Sequence, residues 1–287
     1  MDFTEGHVTA QDGLSLYYRD YGPKWDGKTP VLCLPGLTRN CRDFHLIAKG
    51  LMHERRVICP DIRGRGLSDY DPDWRHYDFF NYISDIRAML AALNLHRVFI
   101  VGTSMGGLLA MCMGAVMPGA MAGALINDVG PDIDDAGLDN IIAYVRKADQ
   151  VWADWGAAAA FLKSCFPEMP GMTDDLWERA ARRSCKQRDD GSVVSDWDPA
   201  IVKPIEQNHE TVDLWPLFRS LRRMPLVGVR GGLSDVLSAA TFLSMQDAIP
   251  SMNAVTVDGM GHAPTLSEPV CQEALNNVLA DADRNAH

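Results

Sequence analysis

A serine framed by two glycines, at Gly102, Ser104 and Gly106, stands between the apolar run VFIV at 98–101 and a second apolar run, LLAMCMGAV, at 108–116. Such a triplet arises by chance in about one chain in ten of this length, so its setting carries the argument. Where a strand turns sharply into a helix, a strained serine exposes Oγ, and glycines beside it leave room for neighbouring chain and substrate. The helix behind Ser104 also aims free amides and its positive end at negative charge forming on that substrate. Met105 is expected to supply one such N–H. The competing reading is an ordinary turn in which Ser104 only caps a helix.

A hydroxyl is a weak nucleophile at neutral pH. It needs an imidazole to take its proton and a carboxylate to hold that imidazole in one tautomer. His262, in VDGMGHAPTLSEP, follows a strand pattern and precedes the last helical one. His7, His96 and His287 lie near chain ends or in a charged junction, and His45, His53, His76 and His209 in polar or helical surroundings, so His262 is the expected base. Two carboxylates follow apolar runs between Ser104 and His262: Asp235 in PLVGVRGGLSDVLS and Asp128 in ALINDVGP. Asp235 is the expected acid, with Asp128 as the fallback. Capping would account for either one, at the turn into Gly130-Pro131 or at a helix beginning near Ser238.

These residues need a scaffold that brings strand ends together. Short runs apolar on both faces, at Val31 to Leu34, Val57 to Cys59, Val98 to Val101 and Ala124 to Ile126, suit buried parallel strands. Between them, Ile83, Ile86, Leu90 and Leu93 recur at helical spacing. Alternating strand and helix means an α/β fold. An Asp12-Gly13 turn with Leu14, Leu16 and Tyr18 after it suggests an antiparallel hairpin at one edge. After Pro131 the alternation stops, and a helix-rich stretch holds Trp152, Trp155, Trp177, Trp197 and Trp215 before strands resume at Leu226 and Ala254. Its tryptophans suggest an apolar pocket wall, and Arg39, Arg146, Arg182 and Arg183 a partner for a substrate carboxylate, although core packing and solvation explain such residues more simply.

The chain has 287 residues and a formal charge of −11, from 38 acidic and 27 basic residues, which repels nucleic acid and anionic membranes. Seven cysteines without CxxC spacing read as reduced packing residues. No secretory pattern opens the chain, and a cytoplasmic location is expected. No histidine pair has ligand spacing, Asp132, Asp134 and Asp135 read as a solvated loop, and no metal or cofactor is expected. A small-molecule substrate is expected, a homo-oligomer is allowed, and neither nucleic acid nor membrane is an expected partner.

Together the Ser104 turn, the DIRGRGLSD segment at 61–69, the Asp235 loop and the GHAP loop around His262 resemble the α/β hydrolase superfamily along nearly the whole chain. The resemblance implies a mostly parallel central sheet flanked by helices. It implies a core of residues 1–130 and 216–287 and a helical cap, or lid, of residues 131–215 inserted after the sixth strand. In that superfamily a His-Gly pair usually opens the loop after the first buried strand. Here LCLPGLTRN places Pro35 at the histidine position, with Leu37 as the second oxyanion-hole donor. Epoxide hydrolases and haloalkane dehalogenases of the superfamily use an aspartate nucleophile, so serine implies acyl transfer from an ester, lactone, thioester or activated amide. The chain is similar to lid-bearing esterases and enol-lactonase-like enzymes. It is also similar to an amide-cleaving hydrolase of a ring-cleaved vitamin B6 product, in which the acid follows the earlier strand and lysine stands at the place of Asp235. Two rival readings share the fold: a carbon-carbon bond hydrolase of ring-fission products, and a non-catalytic ligand receptor.

Overall fold

The computed structural model describes residues 2–24, 27–166, 172–207 and 212–285, so His209 and His287 lie outside the described residues. Strands β1 (Thr4–Thr9), β2 (Ser15–Tyr21), β3 (Val31–Leu34), β4 (Val57–Pro60), β5 (Val98–Thr103) and β6 (Met121–Asn127) precede the helix-rich stretch. Within that stretch lie β7 (Val151–Trp152), β8 (Cys185–Gln187) and β9 (Val193–Ser195), and after it come β10 (Leu226–Gly231) and β11 (Asn253–Val257). Eight of these form one sheet in the order β1-β2-β4-β3-β5-β6-β10-β11. The β1–β2 hairpin pairs antiparallel to β4, and all pairs from β4 to β11 are parallel.

Both faces of the sheet are covered, which is why β3, β4 and β6 are buried at every position instead of every second one. In β5, Val98 and Ile100 face one cluster while Phe99 and Val101 face the other. The first cluster takes in α2 (Phe79–Ala92), α3 (Met105–Val116) and α9 (Ala239–Ala248), and the second takes in α1 (His45–Leu51) and α10 (Pro269–Arg284). Cys33, Cys41, Cys59, Cys185 and Cys271 are buried, and all seven cysteines are free thiols. Among the described residues no helix is long and apolar enough to cross a membrane.

Between β6 and β10 run α4 (Asp135–Ala148), α5 (Trp155–Cys165), α6 (Asp174–Ser184), α7 (Lys203–Gln207) and α8 (Trp215–Arg219). This stretch is not wholly helical: β7, β9 and β8 form a three-stranded antiparallel sheet. Strands of two or three residues are too short for alternation to register in sequence. The two ends of the stretch meet, since the Trp215 indole N–H donates to the Asp132 carboxylate at 3.0 and 3.1 Å. Further tethers join residues 39–42, after β3, to the end of α6 and to Asp196. Arg39 donates to Ser184 Oγ, Asn40 Nδ2 donates to Arg183 O at 2.8 Å, and Arg42 pairs with Asp196.

Candidate active site

Each chemically important residue sits at or just beyond the carboxyl end of a parallel strand. Ser104 links β5 directly to α3 with φ +53° and ψ −117°, a left-handed backbone that a non-glycine residue adopts only when its surroundings impose it. Its N–H donates to Asn127 O at 2.9 Å, fastening the bend to the end of β6. The flanking glycines are required by close approach. A Cβ on Gly102 would fall on the Gly106 carbonyl, and one on Gly106 on the Leu34 carbonyl. Gly106→Ala is therefore expected to destabilise the protein by about 2 kcal/mol or more, because the obstacle is backbone that cannot rotate away. Thermal or denaturant unfolding would measure it.

His262 Nε2 lies 3.0 Å from Ser104 Oγ, and its Nδ1 lies 2.7 Å from Asp128 Oδ2. Asp128 follows β6 at φ +57° and has no solvent exposure, while the histidine side chain is 16% exposed. Gly231 N–H donates to Asp128 Oδ1 and Ser234 O–H donates to Oδ2, each at 2.7 Å. Three donors thus converge on one buried carboxylate and aim it at the imidazole, and its bond to Nδ1 fixes the tautomer that leaves Nε2 free to accept.

Asp235, the acid expected from sequence, does not reach His262 and is replaced at that position by Asp128. Its Oδ2 instead accepts from Asn140 Nδ2 of α4 at 2.8 Å. The chain after Gly231 turns so that Ser234, one residue earlier, points its hydroxyl at the Asp128 carboxylate. Asp235 itself packs against α4, where a Cβ on Gly137 would collide with its carbonyl. Ser234 is a member of this hydrogen-bonded cluster that sequence reasoning missed, and nothing in its local pattern distinguishes it from a turn serine.

The two expected oxyanion donors flank the nucleophile. Met105 opens α3, so its amide is among those a helix leaves without an internal partner. Leu37 follows Gly36, at whose position a Cβ would touch both Arg39 Cγ and Ser104 Cβ, at 3.4 and 3.5 Å. That loop is braced by Asp61, whose carboxylate accepts from Cys41 N at 2.7 Å and Leu67 N at 2.9 Å and whose acidity burial weakens. A Cβ on Gly66 would strike the same carboxylate, which gives the glycine of the DIRGRGLSD segment its reason.

The other singled-out residues have partners within the protein. Arg39 is paired with Asp43, Arg146 with Glu206, Arg182 with Glu178, and Arg183 lies 3.7 Å from Asp43. Trp152, Trp177 and Trp197 are core residues, and Trp155 carries Arg182 over its ring. Asp134 caps α4, and Asp132 is bound to Trp215. Among the described residues the group with metal-like spacing is Asp12, Asp71 and His76. Arg63 Nη1 already sits between its two carboxylates, at 2.7 and 2.8 Å.

The sequence profile of the Alpha/beta hydrolase family matches residues 31–272. The chain is 30% identical to the 3-hydroxybutyrate-oligomer hydrolase of Cupriavidus necator, over 88% of this chain and 89% of that one. It is 27% identical to the 2-(acetamidomethylene)succinate hydrolase of Mesorhizobium japonicum, over 87% of each. A crystal structure of an alpha/beta hydrolase from Novosphingobium aromaticivorans superposes with a TM-score of 0.91 at 39% identity, covering 97% of this chain and 98% of the other.

Proposed function

Since the chain belongs to the α/β hydrolase family, we propose that it is a serine hydrolase cleaving an ester or related acyl bond in a small carboxylate-bearing molecule, with Ser104, His262 and Asp128 as its triad. The observation that carries this reading is the unbroken path from Asp128 Oδ2 through both imidazole nitrogens to Ser104 Oγ, at 2.7 and 3.0 Å.

Ser104 Oγ attacks the substrate carbonyl carbon as its proton passes to His262 Nε2, and the imidazolium is stabilised by Asp128. The carbonyl oxygen becomes an oxyanion received by the amides of Leu37 and Met105, a pair of donors each worth about 10²- to 10³-fold in rate. Collapse expels the leaving group, which takes the proton from Nε2. A water then repeats the sequence on the acyl-enzyme, releasing the acid and restoring Ser104. Residues 131–215 act as the cap over this centre, tethered to the oxyanion loop through Arg39, Asn40 and Arg42.

The two named relatives support the substrate class. An oligomer of a hydroxy acid is joined by esters and ends in a carboxylate, and a substituted succinate carries carboxylates. Arg39, on the loop after β3 with its guanidinium bidentate to Asp43, is the cation assigned to such a group, which would exchange with that partner. We expect dimers and trimers of 3-hydroxybutyrate to be cleaved with a kcat/KM about tenfold or more above that of their methyl esters, because the pairing is lost on esterification. Product release followed by chromatography checks this. Equal rates on acid and methyl ester would remove the carboxylate from the proposal, and no cleavage of any ester would remove the acyl-transfer reading.

A further inference from the structure

Four arginines are almost completely buried, and three have carboxylate partners: Arg55 with Asp283, Arg56 with Asp20, and Arg63 with Asp12, Asp71 and Asp85. Arg65 is the exception. It has 0% exposure, and among the described residues no carboxylate pairs with it. Its Nε donates to Leu37 O at 2.8 Å, and its Nη1 donates to Arg63 O at 2.6 Å and to Tyr82 Oη at 2.9 Å. Its Nη2 lies 3.7 Å from the sulfur of Met105, and the rings of Tyr82 and Tyr77 flank it at 5.0 and 5.8 Å. A guanidinium stays charged in a protein, and burying one without a counter-anion is costly even when its N–H groups are satisfied by neutral acceptors.

The two residues that Arg65 touches toward the site, Leu37 and Met105, are the same two whose amides are assigned to the oxyanion. We propose that Arg65 is a positioning residue for the oxyanion hole, a buried and uncompensated positive charge whose counter-anion is the transient oxyanion of the reaction. The inference rests on the serine-hydrolase reading above. Holding the Leu37 carbonyl fixes the orientation of that residue and hence of its amide. The charge is present before the substrate arrives, so it acts on the transition state, where the carbonyl oxygen becomes negative, much more than on the neutral bound ester. Low-dielectric surroundings of apolar and aromatic groups preserve its reach, which water would screen at an exposed site.

The test compares wild type with R65M, which removes the charge at similar volume, and R65K, which keeps the charge but loses the fork. Steady-state hydrolysis of 4-nitrophenyl acetate is read beside inhibition by a trifluoromethyl ketone, which adds reversibly to the serine and mimics the oxyanion. For R65M that still unfolds cooperatively, kcat is expected to fall by about 10- to 100-fold with KM changed by less than about threefold, and the ketone to bind weaker by a similar factor. R65K is expected to fall between the two. A structural role alone would not weaken the oxyanion mimic in step with kcat. Unchanged kcat in R65M, or a fall in kcat with unchanged ketone affinity, overturns the proposal. Should R65M fail to fold, R65K decides, and a loss of ketone affinity beyond about tenfold in that variant overturns the charge argument. Labelling of wild-type Ser104 by a fluorophosphonate is the separate check on the underlying reading. Its absence would refute the nucleophile, whereas labelling with unimpaired R65M refutes only the role of Arg65.

Discussion

Ser104→Ala is expected to lower kcat by roughly 10⁴- to 10⁶-fold while the protein remains folded, the scale seen when the nucleophile of a serine triad is removed. The change deletes one oxygen, the atom 3.0 Å from His262 Nε2. Alanine at φ +53° carries the same backbone strain as serine, so the bend between β5 and α3 and the melting temperature should be nearly unchanged. Because the amides of Leu37 and Met105 remain, some acceleration over water should persist. Hydrolysis of a nitrophenyl ester by the folded variant at close to the wild-type rate would contradict Ser104 as nucleophile.

The second large effect separates two aspartates that look alike in sequence. Asp128→Asn should reduce kcat by about 10³- to 10⁴-fold, because an amide cannot stabilise the imidazolium and favours the wrong tautomer of His262. It should also cost about 1–3 kcal/mol of stability, since a buried group that accepts from Gly231 N, Ser234 Oγ and His262 Nδ1 would be replaced by one carrying its own donors. Asp235→Asn should change kcat by less than about threefold and stability by less than about 1 kcal/mol, because its bond to Asn140 is exposed and an asparagine can still accept it. Initial rates and urea unfolding of both variants measure the contrast. A larger rate loss at 235 than at 128 would restore Asp235 as the acid.

Much of the scaffold was legible because its physics is local. Val57 to Cys59 and Ala124 to Ile126 have no polar face, which only a strand covered on both sides tolerates, and Gly102-Thr-Ser104-Met-Gly106 declares its turn through the two glycines. The imidazole was equally visible, since His262 occupies a loop that no helix or edge strand claims. The carboxylate was not, because both aspartates leave buried strands at comparable points. What separates them is where residues 231–235 go, and that depends on α4, which packs Gly137 and Asn140 against Asp235 and leaves Ser234 facing Asp128. Contacts formed across 95 residues of chain leave no mark on local pattern. Arg65 was hidden for a related reason. Within DIRGRGLSD it looks like a second copy of Arg63, and only the tertiary structure shows that Arg63 meets three aspartates and Arg65 none among the described residues.

The stretch between β6 and β10 leaves and rejoins the sheet on adjacent strands, with Ala124 opposite Leu226 and with Asp132 joined to Trp215 at its base. Closing such a loop costs little more when it lengthens, because the entropy penalty grows only with the logarithm of its length. Evolution, or a protein engineer, can therefore exchange this module between relatives at one seam. Because Ser104, Asp128, His262 and Arg39 all lie outside the seam, a graft would keep the host's proposed reactivity and its proposed carboxylate partner.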